Sequence, residues 1–198
     1  PQDPHSGCGP LVTVARPLTI SEVAPRRLAL DSSPADCTRI GLTQIVPDAQ
    51  WVIAGVNSGG NLGIDVYMSG TVAAVREAAL FGKSAIAVSQ YRRTRDEIDW
   101  AAAEEMVQRV FARLQSQPLQ PGEFWNVNLP DRREMQGEPE IVFCPLDTSP
   151  HPVEYDHIEG RYHYRGNYHD RPRQSGRDVE ICFSGQIAVS KLVLESSR

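Results

Sequence analysis

The hydrophobic pattern between residues 51 and 115 alternates short apolar runs with amphipathic ones. Residues 51–54 and 84–88 are continuous apolar runs, which are typical of strands buried on both faces. Residues 72–80 and 96–115 place apolar side chains at helical spacing. The order strand, helix, strand, helix predicts βαβ units. We therefore expect an α/β fold with a Rossmann-like, mostly parallel sheet and flanking helices.

Two shorter elements are predicted before this pattern begins. Residues 11–20 are rich in β-formers, and residues 27–30 are expected to pair with them across a turn at Pro25. Ser33 followed by Pro34 and Asp36 gives a helix N-cap, a proline at the first helical position and an acid in the first turn. The helix is expected to end before Pro47.

Beyond residue 118 the pattern changes. Residues 124–129 and 141–144 predict strands, and residues 178–183 and 187–194 are β-like runs. Residues 145–177 are rich in Pro, His, Tyr and Arg, which favours an extended hairpin or arm. We therefore divide the chain into an α/β core, residues 1–130, and a C-terminal β-rich region with an arm, residues 131–198.

Composition places the chain among soluble globular proteins. Of its 198 residues, 40% are hydrophobic and 23% charged, which is enough for a core without disulfides. The four cysteines lie far apart without zinc spacing and are expected to be free thiols. No secretory signal is visible, and no apolar run approaches the roughly 18 residues needed to span a bilayer. A cytoplasmic protein without a membrane partner is expected.

The charge of the chain argues against a nucleic-acid groove. The formal net charge is −5, whereas binding to a phosphate backbone needs a concentrated basic face. The densest basic stretch, residues 161–177, mixes five arginines with tyrosines and histidines, a combination that can bind single-stranded nucleic acid. A solvated arm is the favoured interpretation of this stretch, and nucleic acid is not an expected partner.

The candidate chemistry lies in two segments that follow the strand at 51–54. Residues 55–63 form a loop rich in Gly and Asn, at the carboxyl end of a strand where ligands bind in open parallel sheets. Ser69-Gly70-Thr71 precedes a helix and offers hydroxyls and free N–H groups to a phosphate. Each segment alone is equally compatible with an ordinary turn or N-cap. Neither is a Walker A or GxGxxG loop.

These segments also carry a family resemblance. Residues 55–63, Gly-Val-Asn-Ser-Gly-Gly-Asn-Leu-Gly, and the Tyr-Met-Ser-Gly-Thr-Val stretch at residues 67–72 are very similar to the signature of the SurE (survival protein E) family. Residues 5–7, 33–37, 84–89 and 126–130 resemble other segments of the same family. The resemblance covers most of the chain, and it implies a phosphatase that hydrolyses nucleoside 5′- and 3′-monophosphates.

The resemblance also implies the site residues and cofactor. Asn57 and Ser69 would be catalytic, and Ser6 and Asn57 would bind Mg²⁺ or Mn²⁺. The phosphate would be bound by Asn61, Ser69, Gly70 and Thr71. The C-terminal arm would be exchanged between the protomers of a homodimer, or of a tetramer.

One departure from the family pattern leaves two hypotheses open. The family's cation is also held by two adjacent aspartates in an NDDG motif, and these 198 residues contain no Asp-Asp pair. By resemblance, that motif would lie upstream of Ser6, in a preceding segment of about 35–45 residues, which is roughly the length of one βαβ unit. The chain is then either a nucleotidase whose motif precedes Pro1, or an inactive binding or scaffold protein. The codons upstream of Pro1 distinguish the two.

Overall fold

The computed structural model describes residues 1–4, 6–94 and 96–194. His5, part of the family resemblance, and residues 195–198, the end of the predicted C-terminal region, lie outside the described residues. In chain order the helices and strands are β1 (Ile20–Ala24), β2 (Arg27–Leu30), α1 (Pro34–Ile40), β3 (Trp51–Ser58), α2 (Gly70–Leu80), β4 (Ser84–Gln90), α3 (Trp100–Leu114), β5 (Glu123–Leu129), β6 (Ile141–Phe143), β7 (Tyr155–Ile158), β8 (Arg161–Tyr164), α4 (Asp178–Phe183) and β9 (Ile187–Val193).

The central sheet has five strands in the order β3-β4-β5-β9-β6. Strands β3, β4 and β5 are parallel, β9 runs antiparallel to β5, and β6 is parallel to β9. Helices α2 and α3 connect the three parallel strands, as the alternating sequence pattern predicts. The expectation of an α/β fold with a mostly parallel sheet is confirmed. Because β6 and β9 extend the same sheet, the division near residue 130 stays a prediction.

Each face of the sheet packs against a helix. On one face α3 buries Met106, Val110 and Leu114 against apolar side chains of β4 and β5. On the other face α2 buries Val72 and Val75 against small alanines of β4. The small residues let α2 approach the sheet closely. Because α2 connects the parallel strands β3 and β4, its amino end lies near the carboxyl end of β3.

The predicted strand at residues 11–20 is wrong, because the partner of β2 is β1, which begins at Ile20. Pro17 cannot donate a ladder hydrogen bond. Side chains also satisfy the nearby backbone groups: the carboxylate of Asp31 accepts from Thr19 N (2.8 Å). The backbone before Ile20 therefore has no need of a partner strand.

The predicted β-like run at residues 178–183 is also wrong, because these residues form helix α4. Val179 and Cys182 are three positions apart and are both fully buried, on a face packed against the sheet and the loop after β3. Asp178 and Glu180 in the first turn favour a helix through its dipole. The strand prediction followed the alternation of Val179, Ile181 and Phe183, whereas the pair buried in the fold has helical spacing.

The other predicted helices form with changed ends. Ser33 caps α1 by accepting from Asp36 N (3.1 Å), as expected, and a π-helical turn extends it to Ile45. Helix α3 begins at Trp100 rather than residue 96, because the Asp99 side chain accepts from Ala102 N (3.1 Å) and caps the helix there. Trp100 is 53% exposed and lies outside the buried face of α3, although it falls within the apolar pattern of residues 96–115.

The predicted C-terminal hairpin is present. Strands β7 and β8 pair in antiparallel register from Tyr155–Tyr164 to Ile158–Arg161 and form a two-stranded sheet of their own. None of the helices in the described part of the chain is both long and apolar enough to cross a membrane.

The packing of α3 generates a stability prediction. Leu114 is fully buried, whereas Leu80, at the end of α2, is 61% exposed. Leu114→Ala should lower the free energy of unfolding by about 2–5 kcal/mol through lost burial and a cavity. Leu80→Ala should change it by about 0.5 kcal/mol or less. Urea denaturation followed by circular dichroism measures both, and equal losses would contradict this account of the core.

Candidate active site

One cavity gathers all the site residues predicted from the sequence. It has a volume of about 730 Å³ and extends from the amino end of α2 along β3. The predicted metal and phosphate ligands among its lining residues are Ser6, Asn57, Asn61, Ser69, Gly70 and Thr71. Because β3, β4 and β5 are parallel, their carboxyl ends meet at this edge, where open α/β sheets bind ligands.

The amino end of α2 supplies an anion-binding surface. The Ser69 hydroxyl caps the helix by accepting from Val72 N (3.1 Å) and can still donate its own proton. Gly70 and Thr71 occupy the first turn, where main-chain N–H groups have no partner within the helix. These N–H groups, the Thr71 hydroxyl and the positive end of the helix dipole favour a phosphate group.

A bulge in β3 places Asn57 at the cavity. The register with β4 shifts between Ala54 and Asn57, so that β3 contains an extra residue there. Gly55 lies in the bulge with φ +134°, and a Cβ at this position would be 2.2 Å from Val88 O. Only glycine therefore fits. The side-chain nitrogen of Asn57 donates to Gly59 O (2.7 Å), and its side-chain oxygen stays available as a ligand or hydrogen-bond acceptor.

Asn61 is fixed by three buried polar side chains of β4 and β5. Its main-chain N–H donates to Asn128 Oδ1 (2.8 Å), and its main-chain oxygen accepts from the amides of Asn126 (2.9 Å) and Asn128 (3.0 Å). Its own amide donates to Ser89 Oγ (2.6 Å). Ser89, Asn126 and Asn128 are fully buried. One amide proton of Asn61 is thus used internally, and the second remains for a ligand.

Helix α4 contacts the end of the Gly/Asn loop through its first residue, Asp178. Asp178 is fully buried and accepts from Gly63 N (2.7 Å), Asp147 N (2.7 Å) and Val179 N (3.0 Å). Burial raises the pKa of Asp178, although the three N–H groups counteract this. Gly63 has φ +56°, and a Cβ there would meet Asp147 O at 2.7 Å. The loop therefore depends on contacts with residues far along the chain.

A second carboxylate, Asp65, ties the loop to the base of the arm. Asp65 accepts from Arg171 (2.6 Å) and the Tyr168 hydroxyl (2.9 Å), and His151 Nε2 lies 2.7 Å from its other oxygen. Burial, reinforced by the charge of Asp65, raises the pKa of Tyr168. Arg171 is 4% exposed; burial would lower its pKa, but Asp65 outweighs that effect and raises it. Arg171 is thus a structural ion-pair partner.

The loop that carries Ser6 is fastened to α1 and to the turn before α2. Gly9 N donates to Met68 O (2.9 Å), and Thr13 N donates to both carboxylate oxygens of Asp36 (3.2 and 3.1 Å). Burial alone would raise the pKa of Asp36, but hydrogen bonds from Ser32, Thr13 and Ser33 outweigh it and hold this pKa below its ordinary value. The ionised carboxylate is therefore the stabilising form.

The described residues by themselves do not fit Mg²⁺ or Mn²⁺. The two predicted ligands, Ser6 and Asn57, offer neutral oxygens, and no Asp or Glu of the described residues lines the cavity. Nor do those residues contain any group of three or more His, Cys, Asp or Glu arranged to hold a metal ion. Neutral oxygens alone compensate poorly for the dehydration of such a cation.

Sequence reasoning missed the residues that support the site. Asn126 and Asn128 are two apart in an otherwise apolar strand, which places both amides on one face, and this spacing was the available signal. For Asp65 and Asp178 no local signal exists, because their partners Tyr168 and Gly63 lie 103 and 115 positions away.

The architecture and site together define an open-sheet α/β protein with an anion-binding helix terminus at the carboxyl edge of its parallel strands. The profile of the family described as Survival protein SurE matches residues 1–148. The chain therefore belongs to the SurE family, and the resemblance of its motifs is confirmed.

Individual relatives agree with this assignment. The chain is 48% identical over 193 residues to a Synechocystis protein provisionally named a 5′-nucleotidase, covering 97% of this chain and 85% of the relative. It is 31% identical over 208 residues to the 5′-nucleotidase SurE of Paramagnetospirillum magneticum, covering 98% and 77%. The crystal structure of the SurE protein from Aquifex aeolicus superposes with a TM-score of 0.80 at 24% identity, covering 98% and 80%, which supports the fold.

The role of Asp36 generates a pH prediction. Its folded-state pKa lies below the ordinary value of 3.8, so its contribution to stability is complete above that value and is lost as the pH falls through the folded-state pKa. Asp36→Asn should lower the free energy of unfolding at pH 7 by about 1–3 kcal/mol and flatten its fall between pH 4 and 2. Thermal unfolding across this pH range measures both effects.

The matched control is Asp48→Asn, which changes an exposed acid in the turn before β3. It should leave both the stability at pH 7 and the loss of stability between pH 4 and 2 close to those of the wild type. If the stability of Asp36→Asn fell as steeply between pH 4 and 2 as that of the wild type, the carboxylate would not be held ionised by its hydrogen bonds.

Proposed function

We propose that the protein is a phosphomonoesterase that hydrolyses nucleoside 5′-monophosphates, and also 3′-monophosphates, to nucleoside and inorganic phosphate. The observation that carries the proposal is the cavity that joins Asn57 and Asn61 to the free amino end of α2. Family membership and the 5′-nucleotidase names of the relatives support it.

In the proposed reaction α2 and the Gly/Asn loop bind the phosphoryl group. The main-chain N–H groups of Gly70 and Thr71, the hydroxyls of Ser69 and Thr71 and the amide of Asn61 would donate to its non-bridging oxygens. Negative charge shifts as the bond between phosphorus and the ester oxygen breaks, and donors already fixed in place stabilise that charge without reorganising. The network around Asn61 provides this rigidity.

A requirement for Mg²⁺ or Mn²⁺ is part of the proposal. Ser6 and Asn57 are the proposed neutral ligands, and Asn57 has its amide nitrogen turned to Gly59 O, so its oxygen can face the cavity. Because a divalent cation needs carboxylate charge, acids outside the described residues would have to complete its coordination.

The alternative is a binding or scaffold protein that retains the phosphate site without hydrolysis. One observation favours it, namely that no carboxylate of the described residues lines the cavity. Such a protein would be stabilised by inorganic phosphate or by a nucleotide and would release no phosphate from the nucleotide.

Phosphate release tests the two functions. The protein as its gene encodes it is incubated with a panel of nucleoside 5′- and 3′-monophosphates and Mn²⁺, Mg²⁺ or EDTA, and inorganic phosphate is measured. We expect release that EDTA abolishes. Asn57→Ala should lower kcat/KM by about 100-fold, since it removes a group at the reacting centre.

Asn167→Ala, which changes an exposed asparagine of the arm region, is the matched control and should retain activity. The absence of phosphate release from every monophosphate with either cation would refute the hydrolase. In that case, an increase in the melting temperature on adding a nucleotide would support the binding protein.

The C-terminal arm is proposed to join two copies of the chain. Hairpin β7–β8 presents Tyr155, Ile158, Tyr162 and Tyr164, which are 57%, 54%, 73% and 61% exposed. Aromatic side chains grouped on an extended hairpin are typical of an interface. The nucleic-acid alternative is further weakened because Arg171 is buried against Asp65 and Arg165 lies within 4 Å of Glu154 and Asp156. A homodimer with exchanged arms, or a tetramer made of two such dimers, is the proposed assembly.

The assembly is tested by light scattering coupled to size-exclusion chromatography. The wild type should have the mass of two or four chains. Tyr162→Glu combined with Tyr164→Glu should reduce that mass, because it places charges in the proposed interface. Leu80→Glu, an exposed leucine of α2 outside the arm, should not change it. A monomeric wild type would contradict the proposal.

A further inference from the structure

Asp65 connects two parts of the molecule, one through its side chain and one through its main chain. Its carboxylate contacts His151, Tyr168 and Arg171, which all belong to the C-terminal region. Its main-chain oxygen accepts from Ser69 N (3.1 Å), the residue that caps α2. The same residue therefore contacts the base of the arm and the helix terminus proposed to bind phosphate.

The partners of this carboxylate lie on both sides of the arm hairpin in the sequence. His151 precedes β7, whereas Tyr168 and Arg171 follow β8. The Arg171 guanidinium also lies over the Tyr168 ring, 5.1 Å from its centroid. Both strands of the hairpin are thus attached at their base to one carboxylate. A displacement of the arm base would therefore displace Asp65.

Tyr168 also contacts the Gly/Asn loop. A Cβ at Gly60 would lie 3.4 Å from the Tyr168 hydroxyl and 3.6 Å from the Cβ of Tyr91. The hydroxyl therefore packs directly against the loop, at the residue before Asn61. The arm base thus touches the segment that carries the site at two places, Gly60 and Asp65.

The turn between the loop and α2 is fixed at both ends. It is the short 3-10 helix Gly63–Tyr67. Its first N–H donates to the buried Asp178, and Arg76 of α2 donates to a main-chain oxygen of the turn (3.0 Å). Because the turn has contacts on both sides, a shift of Asp65 would move Ser69 and the start of α2 with it, rather than being absorbed by a flexible loop.

The carboxylate cluster lies outside the cavity that it adjoins. Among the described residues that line the cavity at the amino end of α2, none is Asp65 or one of its three partners. These side chains can therefore affect a phosphate there only through the groups that they hold in place. The main-chain N–H groups at the start of α2 must point at the phosphoryl oxygens, and a displacement of about 1 Å is enough to lower a rate about 100-fold.

We propose that Asp65 is a positioning residue of the phosphate site and that the base of the arm holds it in place. The three partners fix its carboxylate, and its main-chain oxygen, through Ser69 N, fixes the start of α2. The arm region is then needed for phosphate binding, although no described residue of that region lines the cavity. The inference rests on the proposed phosphate site and assigns a function to a charged cluster outside it.

Two nearly isosteric variants test the proposal in the protein as its gene encodes it. Asp65→Asn removes the charge, and Tyr168→Phe removes one hydroxyl. The dissociation constant of inorganic phosphate, measured by calorimetry with Mg²⁺, should rise about tenfold in the first and about fivefold in the second, because hydrogen bonds to a partly buried charge are lost. The KM for AMP should rise with it. A role in stability alone would lower the amount of folded protein, and hence the apparent kcat, without changing KM.

A double-mutant cycle shows whether Tyr168 acts through Asp65. In the Asp65→Asn background, Tyr168→Phe should change the dissociation constant of phosphate by less than about twofold, because the charge that strengthens its hydrogen bond is already absent. An equal, fivefold effect in both backgrounds would show that Tyr168 acts independently of Asp65, and it would contradict the proposed route from the arm base.

Two controls separate positioning from stability. Tyr162→Phe removes an exposed hydroxyl of the hairpin and should leave phosphate binding unchanged. Leu114→Ala weakens the core on the α3 face of the sheet and, at a temperature where it is folded, should also bind phosphate as the wild type does. If Asp65→Asn and Tyr168→Phe, shown by circular dichroism to be folded, bound phosphate as these controls do, Asp65 would only stabilise the fold and the proposal would be overturned.

The remaining outcomes distinguish this inference from the proposed function. If Asp65→Asn does not fold, Tyr168→Phe, which loses a single oxygen, decides the question alone. A wild type that binds inorganic phosphate but releases none from AMP would refute the phosphomonoesterase, and the dissociation constants of the variants would still decide the role of Asp65. A wild type that does not bind inorganic phosphate would refute the phosphate site and the positioning role with it.

Discussion

Asn61 occupies the point where the apolar sheet gives way to the site, and the burial of its polar groups constrains everything around it. Its main chain and side chain require partners that water cannot supply, because the surrounding side chains are fully buried. Ser89, Asn126 and Asn128 provide them. These hydrogen bonds specify how the Gly/Asn loop leaves β3 and thus where Asn57 and the start of α2 lie relative to each other.

Two carboxylates, the buried Asp178 and the partly buried Asp65, complete this constraint. Asp178 accepts from the end of the loop, and Asp65 binds Arg171 and Tyr168 at the base of the arm. Each carboxylate accepts hydrogen bonds from several donors. Removing the carboxylate would therefore leave those donors without a partner. The C-terminal region therefore has a role beyond its hairpin, since it fixes the rear of the phosphate site.

The carboxyl edge of the sheet carries two different chemical environments. Near α2, free N–H groups and hydroxyls surround a site suited to an anion. Beyond β4 and β5, ion-paired side chains and a few apolar ones line a second cavity. Arg92, at the second of these, donates to Ser58 at the end of β3.

The sequence alone determined the βαβ core, the cap of α1 and the choice of residues proposed to bind phosphate, because apolar periodicity, turn residues and short motifs are local. Local signals failed at residues 11–20, where Pro17 and side-chain acceptors replace strand pairing. They failed also at α4, where Val179, Ile181 and Phe183 alternate as in a strand although the segment is helical. Only the tertiary structure decided that Asp178 binds Gly63 and that Asn128 binds Asn61, since these partners are 115 and 67 positions apart. Hydrogen bonds over such separations depend on the completed sheet, and no run of neighbouring residues encodes them.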